Sequence, residues 1–170
     1  MDMPTITTTD DGALLTVRRL VESDTDKLVA FVKALSVSAR YFRFGQGDYN
    51  DDLEEALHAC VMNPDRGAHL IAVASRGPDE VVIGSARYVT QADRTSCEFV
   101  IVVADKWSHH GIGHELMGAL IDSAKRQGLG KMWGRILASN LGMLAFVRGQ
   151  GFEISDSPDG AWQKVASITF

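Results

Sequence analysis

Residues 98–116 read EFVIVVADKWSHHGIGHEL, from Glu98 to Leu116. The apolar run that follows Glu98 has the pattern of a buried strand. A short polar turn comes next, then Gly111-Ile112-Gly113. From there apolar residues recur every four positions, at Ile112, Leu116, Leu120 and Ala124, as on one face of a helix. A helix start carries main-chain N–H groups with no partner of their own, and its dipole adds partial positive charge. Glycines at 111 and 113 remove the side chains that would keep an anion away from those amides. Strand, loop, GxG and helix together predict a pyrophosphate site built from main chain. A glycine-rich strand-to-helix turn with no ligand remains the alternative.

Other motifs fail on the same residues. A dinucleotide-binding GxGxxG needs glycine where Leu116 stands. The Walker A spacing runs from Gly113 to Gly118, but Ala119 replaces the lysine. A zinc-protease HExxH would begin at His114-Glu115, but Gly118 holds the place of its second histidine. His109, His110 and His114 lack a nearby cysteine or carboxylate at a convincing ligand spacing, so no metal site is expected.

Outward from this segment, residues 13–20 read as a strand. Ser23 is a candidate N-cap for a helix over residues 24–35, with Leu28, Phe31, Val32 and Leu35 on one face. A further helix is expected from Asp51 or Asp52 to about Met62, stopped by Asn63-Pro64. Strands at residues 68–75, 81–90 and 97–104 are separated by Gly77-Pro78-Asp79 and Ala92-Asp93-Arg94, which are turn signals. The long helix runs over residues 112–127, with Gly128 as its C-cap. A strand at 132–138, a helix at 140–148 and two short strands near 151–155 and 162–167 complete the chain. A meander followed by helix, strand, helix and strand is an α+β pattern. Residues 1–12 are expected to be a flexible tail, and residues 13–170 one domain.

Composition narrows the function classes. The 170 residues include 45% hydrophobic and 23% charged, a globular balance. The net charge is −5, from 17 basic and 22 acidic residues, which disfavours a nucleic-acid partner. Two cysteines, Cys60 and Cys97, form no CxxC and fit a reducing, cytoplasmic setting. No apolar run approaches the roughly 20 residues of a membrane span, and the start lacks a secretory pattern. A homodimer is left open, dimers being the commonest soluble assembly.

The segment 108–113, Ser-His-His-Gly-Ile-Gly, resembles the acetyl-CoA signature [Q/R]-x-x-G-x-[G/A] of the GCN5-related N-acetyltransferases, with Ser108 at the Gln/Arg position. Asn140 followed eleven residues later by Gly151-Phe152 resembles that family's downstream pattern. SARYFRF at 38–44, GSARYV at 84–89 and EFVIVVADKW at 98–107 look similar to bacterial protein-lysine acetyltransferases. The resemblance implies the GNAT fold: a mixed, mostly antiparallel sheet of about six or seven strands flanked by about four helices. It implies acetyl-CoA as acyl donor and direct transfer to an amine, either a protein lysine or a small molecule. Main chain at Ile101, Val102 and Val103 would meet the pantetheine arm. His109, His110, Gly111, Ile112, Gly113 and His114 would surround the pyrophosphate. Asn140 would lie near the pantetheine or the reacting centre, and the strand at 132–138 would splay from that at 97–104.

Glu98 is the catalytic candidate. A carboxylate beside a buried strand is made more basic by desolvation, which suits it to take a proton from an ammonium, and the resemblance puts a general base there. An exposed glutamate at a strand start is the plain alternative. The family's usual general-acid tyrosine, seven residues after Asn140, is Val147 here. Tyr41, Tyr49 and Tyr88 have no spacing that selects one of them. Residues 40–44, Arg-Tyr-Phe-Arg-Phe, are expected to pack their rings on the sheet. The acidic run Asp51, Asp52, Glu54 and Glu55 is expected to satisfy a helix dipole. Trp107, Trp133 and Trp162 are read as packing residues, and both cysteines as buried small hydrophobes. A non-catalytic acyl-CoA sensor and an interaction domain with an empty cradle are the rival functions.

Overall fold

β-Branched Thr and Ile fill positions 5–8, and that composition favours an extended strand. In the computed structural model, which describes residues 5–9, 12–36, 66–107 and 111–170, this stretch is β1 (Thr5–Thr8). It pairs antiparallel with β2 (Leu14–Arg19) through a turn in which Thr9 N–H donates to Ala13 O at 2.8 Å. Part of the expected tail is therefore an edge strand.

The remaining elements follow as α1 (Thr25–Ala34), β3 (Gly67–Arg76), β4 (Asp79–Thr90), β5 (Ser96–Val103) and α2 (Ile112–Arg126). Then come β6 (Lys131–Leu137), α3 (Leu141–Gly149), β7 (Glu153–Asp156) and β8 (Gln163–Thr169). The eight strands form one sheet in the order β1-β2-β3-β4-β5-β6-β8-β7. Every neighbouring pair is antiparallel except β5–β6. This is the expected mixed α+β sheet with β1 added at its edge. Three α-helices lie among the described residues; the helix expected near 51–62 lies outside them.

Helices cover both faces. Leu28, Phe31, Val32 and Leu35 bury α1 against Ile71, Val73 and Val82. On the other face, Leu116, Met117, Leu120 and Ala124 of α2 pack with Leu70, Tyr88, Ile101, Met132 and Val147. β3 is enclosed by both layers, so eight of its ten residues are buried. β5 alternates instead. Cys97, Phe99 and Ile101 are buried toward α2, while Glu98, Val100 and Val102 are half-buried on the opposite face.

Ser23 does not cap α1. It lies in a 3₁₀ turn, Glu22–Asp24, and the N-cap is Asp24. The Asp24 carboxylate turns back to accept from Val21 N–H at 2.9 Å and from Arg18 at 2.6 and 2.9 Å. Arg18 also donates to Glu80 at 2.7 Å, which ties α1 to β2 and to the start of β4. The Arg18 hydrogen bond holds the Asp24 carboxyl below the usual carboxylate range; burial opposes it, and the Val21 amide adds to it. Among the described residues, no helix is long and apolar enough to cross a membrane.

Candidate active site

β5 and β6 pair over three residues only: Ser96 with Lys131, Cys97 with Met132 and Glu98 with Trp133. On its other side β5 stays paired with β4 as far as Val103. From Phe99 onward the two parallel strands therefore part and leave a fork. One cause is local. A Cβ at Gly134 would lie 2.6, 2.7 and 2.9 Å from three atoms of the Phe99 ring. The ring thus occupies the space of the side chain that position 134 lacks, at the first rung after pairing stops. It also meets Phe152 edge-on, with centroids 5.1 Å apart.

Ala104 N–H donates to Ile83 O at 2.9 Å. Main-chain groups alternate sides along a strand, so those of Ile101 and Val103 face the fork. The main chain of Val102 turns toward β4, a correction to the expectation that all three residues line the donor channel.

The start of α2 stands at the open end of β5. Gly111, its N-cap, has φ +80°, a left-handed conformation that glycine adopts without strain. Gly111 has no side chain to cap with, and the first closed bond runs from Glu115 N–H to Gly111 O at 3.1 Å. The amides of Ile112, Gly113 and His114 are the donors a helix start leaves unmet. Ile112 itself is buried, so only its main chain is on offer. Among the described residues, a Cβ at Gly111 would meet nothing within 4 Å, whereas one at Gly113 would lie 3.2 Å from the Phe146 ring and 3.9 Å from Val103. Gly113 therefore also serves the close packing of α2 on α3. His114 Nδ1 lies 3.1 Å from Gln150 Oε1, which joins the same two helices. His109 and His110 lie outside the described residues.

Glu98 ends the paired part of β5. Its carboxylate does not sit among apolar neighbours alone. Arg135 of β6 reaches across the parting strands and donates to both oxygens, Nε to Oε2 at 2.9 Å and Nη2 to Oε1 at 3.2 Å. The guanidinium also lies 5.8 Å from the centroid of the Trp133 ring. Its pKa is raised first by the Glu98 hydrogen bond, with the charges of Glu98 and Asp159 acting in the same direction. Arg135, Gly134 and Asp159 escaped the sequence reading. The one available signal was an arginine beside a glycine inside an otherwise strand-like run.

Asn140 is the N-cap of α3, its Oδ1 accepting from Met143 N–H at 3.2 Å. Val147 is fully buried in the core, and its aliphatic side chain has no proton to donate. Cys97 is buried as expected, and burial pushes its thiol up to about 12. Trp107 packs on the core, but Trp162 is 58% exposed and so is not a core residue. Its Nε1–H donates to Asp159 O at 3.2 Å. Tyr88 is buried, with its hydroxyl 3.4 Å from Ser123 Oγ. Tyr41, Tyr49, residues 40–44, the acidic run at 51–55 and Cys60 lie outside the described residues.

A family model described as Acetyltransferase (GNAT) family matches residues 31–152. The chain is 30% identical over 158 residues to Acetyltransferase PA5475 of Pseudomonas aeruginosa, covering 92% of this chain and 84% of that protein. It superposes on the GNAT domain of S. lividans PAT with a TM-score of 0.81 at 18% identity, over 98% of this chain and 97% of that one. It also superposes on spermidine N-acetyltransferase from Vibrio cholerae, solved with CoA and spermine, with a TM-score of 0.69 at 18% identity. That match spans 91% of this chain and 95% of the other.

Proposed function

The chain belongs to the GNAT acetyltransferase family, and from that premise we propose that it transfers an acetyl group from acetyl-CoA directly to an amine, with Glu98 as general base. The carrying observation is the position of Glu98 at the apex of the β5–β6 fork, on the last paired rung. The residues present suit the donor. The amides at the start of α2 can donate to a pyrophosphate, and among the described residues nothing would crowd a group placed at Gly111. The main chain of Ile101 and Val103 can pair with an amide-bearing arm laid along the fork. Bound acetyl-CoA would supply an activated thioester.

An acceptor ammonium cannot attack until it loses a proton, and Glu98 can take that proton directly or through a water. The amine nitrogen then bonds to the acetyl carbon and gives up its second proton to water, the carbon–sulfur bond breaks, and the thiolate leaves with the electron pair. Val147 carries no proton to give, so the thiolate would take its proton from solvent. The acceptor is a protein lysine or a small-molecule amine. The Vibrio cholerae relative binds spermine, which supports a cationic amine.

A second reading has its own support. Glu98 is already held by Arg135, and the usual tyrosine position is Val147, features that would suit a non-catalytic acyl-CoA sensor. Thiol release from acetyl-CoA in the presence of a panel of amines and lysine peptides separates the two. Glu98→Gln keeps the size of the side chain and removes its basicity. Turnover should fall on the order of 10²-fold, as for loss of a general base, with acetyl-CoA affinity little changed. Parental turnover in Glu98→Gln would sink the base assignment.

A further inference from the structure

Arg135 lies on β6 two residues past Trp133, the last residue of that strand to pair with β5. It bridges the fork at its narrow end and holds both oxygens of Glu98. Its side chain is 51% exposed, against 23% for Glu98. An ion pair this open contributes little to folding. A planar guanidinium on both oxygens nevertheless fixes the plane and direction of a carboxylate, which a lysine point charge cannot do. A carboxylate offers about four acceptor positions. Arg135 occupies one on each oxygen and leaves one on each for another donor.

We propose that Arg135 is a positioning residue for acetyl transfer: it holds the Glu98 carboxylate so that its remaining lone pairs meet the amine nitrogen arriving in the fork. This deepens the reading of Glu98 as base and rests on it. The Trp133 ring beside the guanidinium helps to keep Arg135 in place. When Arg135 is lost, the Glu98 side chain regains rotamer freedom. The proton acceptor remains, but its geometry is lost, and misplacement of that kind can cost on the order of 10²-fold in rate.

The test compares Arg135→Met, Arg135→Lys, Glu98→Gln and the Glu98→Gln/Arg135→Met pair, with acetyl-CoA as donor and a lysine-containing peptide and spermidine as acceptors. Thiol release gives kcat and KM, calorimetry gives acetyl-CoA affinity, and thermal unfolding reports the fold. Arg135→Met should lower kcat on the order of 10-fold or more, with acetyl-CoA affinity and the unfolding midpoint near parental. Arg135→Lys should recover only part of kcat. The double variant should match Glu98→Gln, because the arginine has nothing left to position. Parental kcat in Arg135→Met, or the same further loss in the Glu98→Gln background, would overturn the inference and leave the base reading standing. Parental kcat in Glu98→Gln would overturn both.

Discussion

The Phe99 ring stands where a side chain at Gly134 would be, one rung beyond the last β5–β6 pair. A Cβ at 134 would approach the ring to 2.6 Å, so the ring or the strand would have to move. Gly134→Ala should therefore destabilise the fold by about 1–3 kcal/mol, the usual range for overpacking. It should also weaken acetyl-CoA binding, since the fork wall moves. Urea unfolding and calorimetry check this, and adding Phe99→Leu should recover part of both losses.

Acetyl-CoA should stabilise the protein against heat, by about 2.7 kcal/mol at a concentration 100 times its Kd. Gly113→Glu places bulk and negative charge among the α2 amides and should abolish that shift. Because Gly113 also packs against Phe146, the variant's own midpoint should fall as well. The informative measurement is the ligand-induced shift, and an undiminished shift would exclude the α2 cradle.

Asn140→Ala should cost about 0.5–2 kcal/mol through loss of the cap to Met143. Asn140→Asp keeps an acceptor oxygen and should hold most of that stability. If the Asn140 amide also serves the donor site, Asn140→Asp will lower acetyl-CoA affinity while unfolding stays near parental. Calorimetry beside urea unfolding separates these roles.

Asp24 is buried, and its folded carboxyl is held below its unfolded value by Arg18. The stability this contributes is fully present above the unfolded pKa of about 3.9 and disappears as pH falls through the depressed folded value. Asp24→Ala leaves Arg18 without its main partner and should cost about 1–3 kcal/mol at neutral pH. The gap between parent and variant should close as the pH is lowered from about 4. Urea unfolding across pH 2–7 tests this, and a gap independent of pH would remove Asp24 from the acid response.

The sheet, its strand order of appearance and the long helix were legible because each rests on local pattern. The apolar run from Phe99 announces a buried strand, and the recurrence Ile112, Leu116, Leu120, Ala124 announces a helix face. The glycines of 111–113 announced a turn into that helix for the same reason. β1 was missed because four residues beside a polar stretch carry little periodic signal, and their pairing with β2 supplies the rest. Ser23 reads as a cap because it is a good capping residue. Asp24 displaced it because a carboxylate facing Arg18 from across the fold gains a charged partner that no neighbour in sequence reveals.

The amino-acid sequence by itself determined the order of the described elements from β2 onward, the glycine turn into α2 and Glu98 as the residue to examine, all features set within a few residues of chain. Tertiary structure decided what surrounds them. Arg135 stands 37 residues from Glu98, Gly134 stands 35 from Phe99, and Phe146 stands 33 from Gly113. These contacts form only when β6 and α3 fold back beside β5 and α2. Local propensity is blind to them, because the energy of an ion pair or a filled gap depends on distance in space and not on separation along the chain.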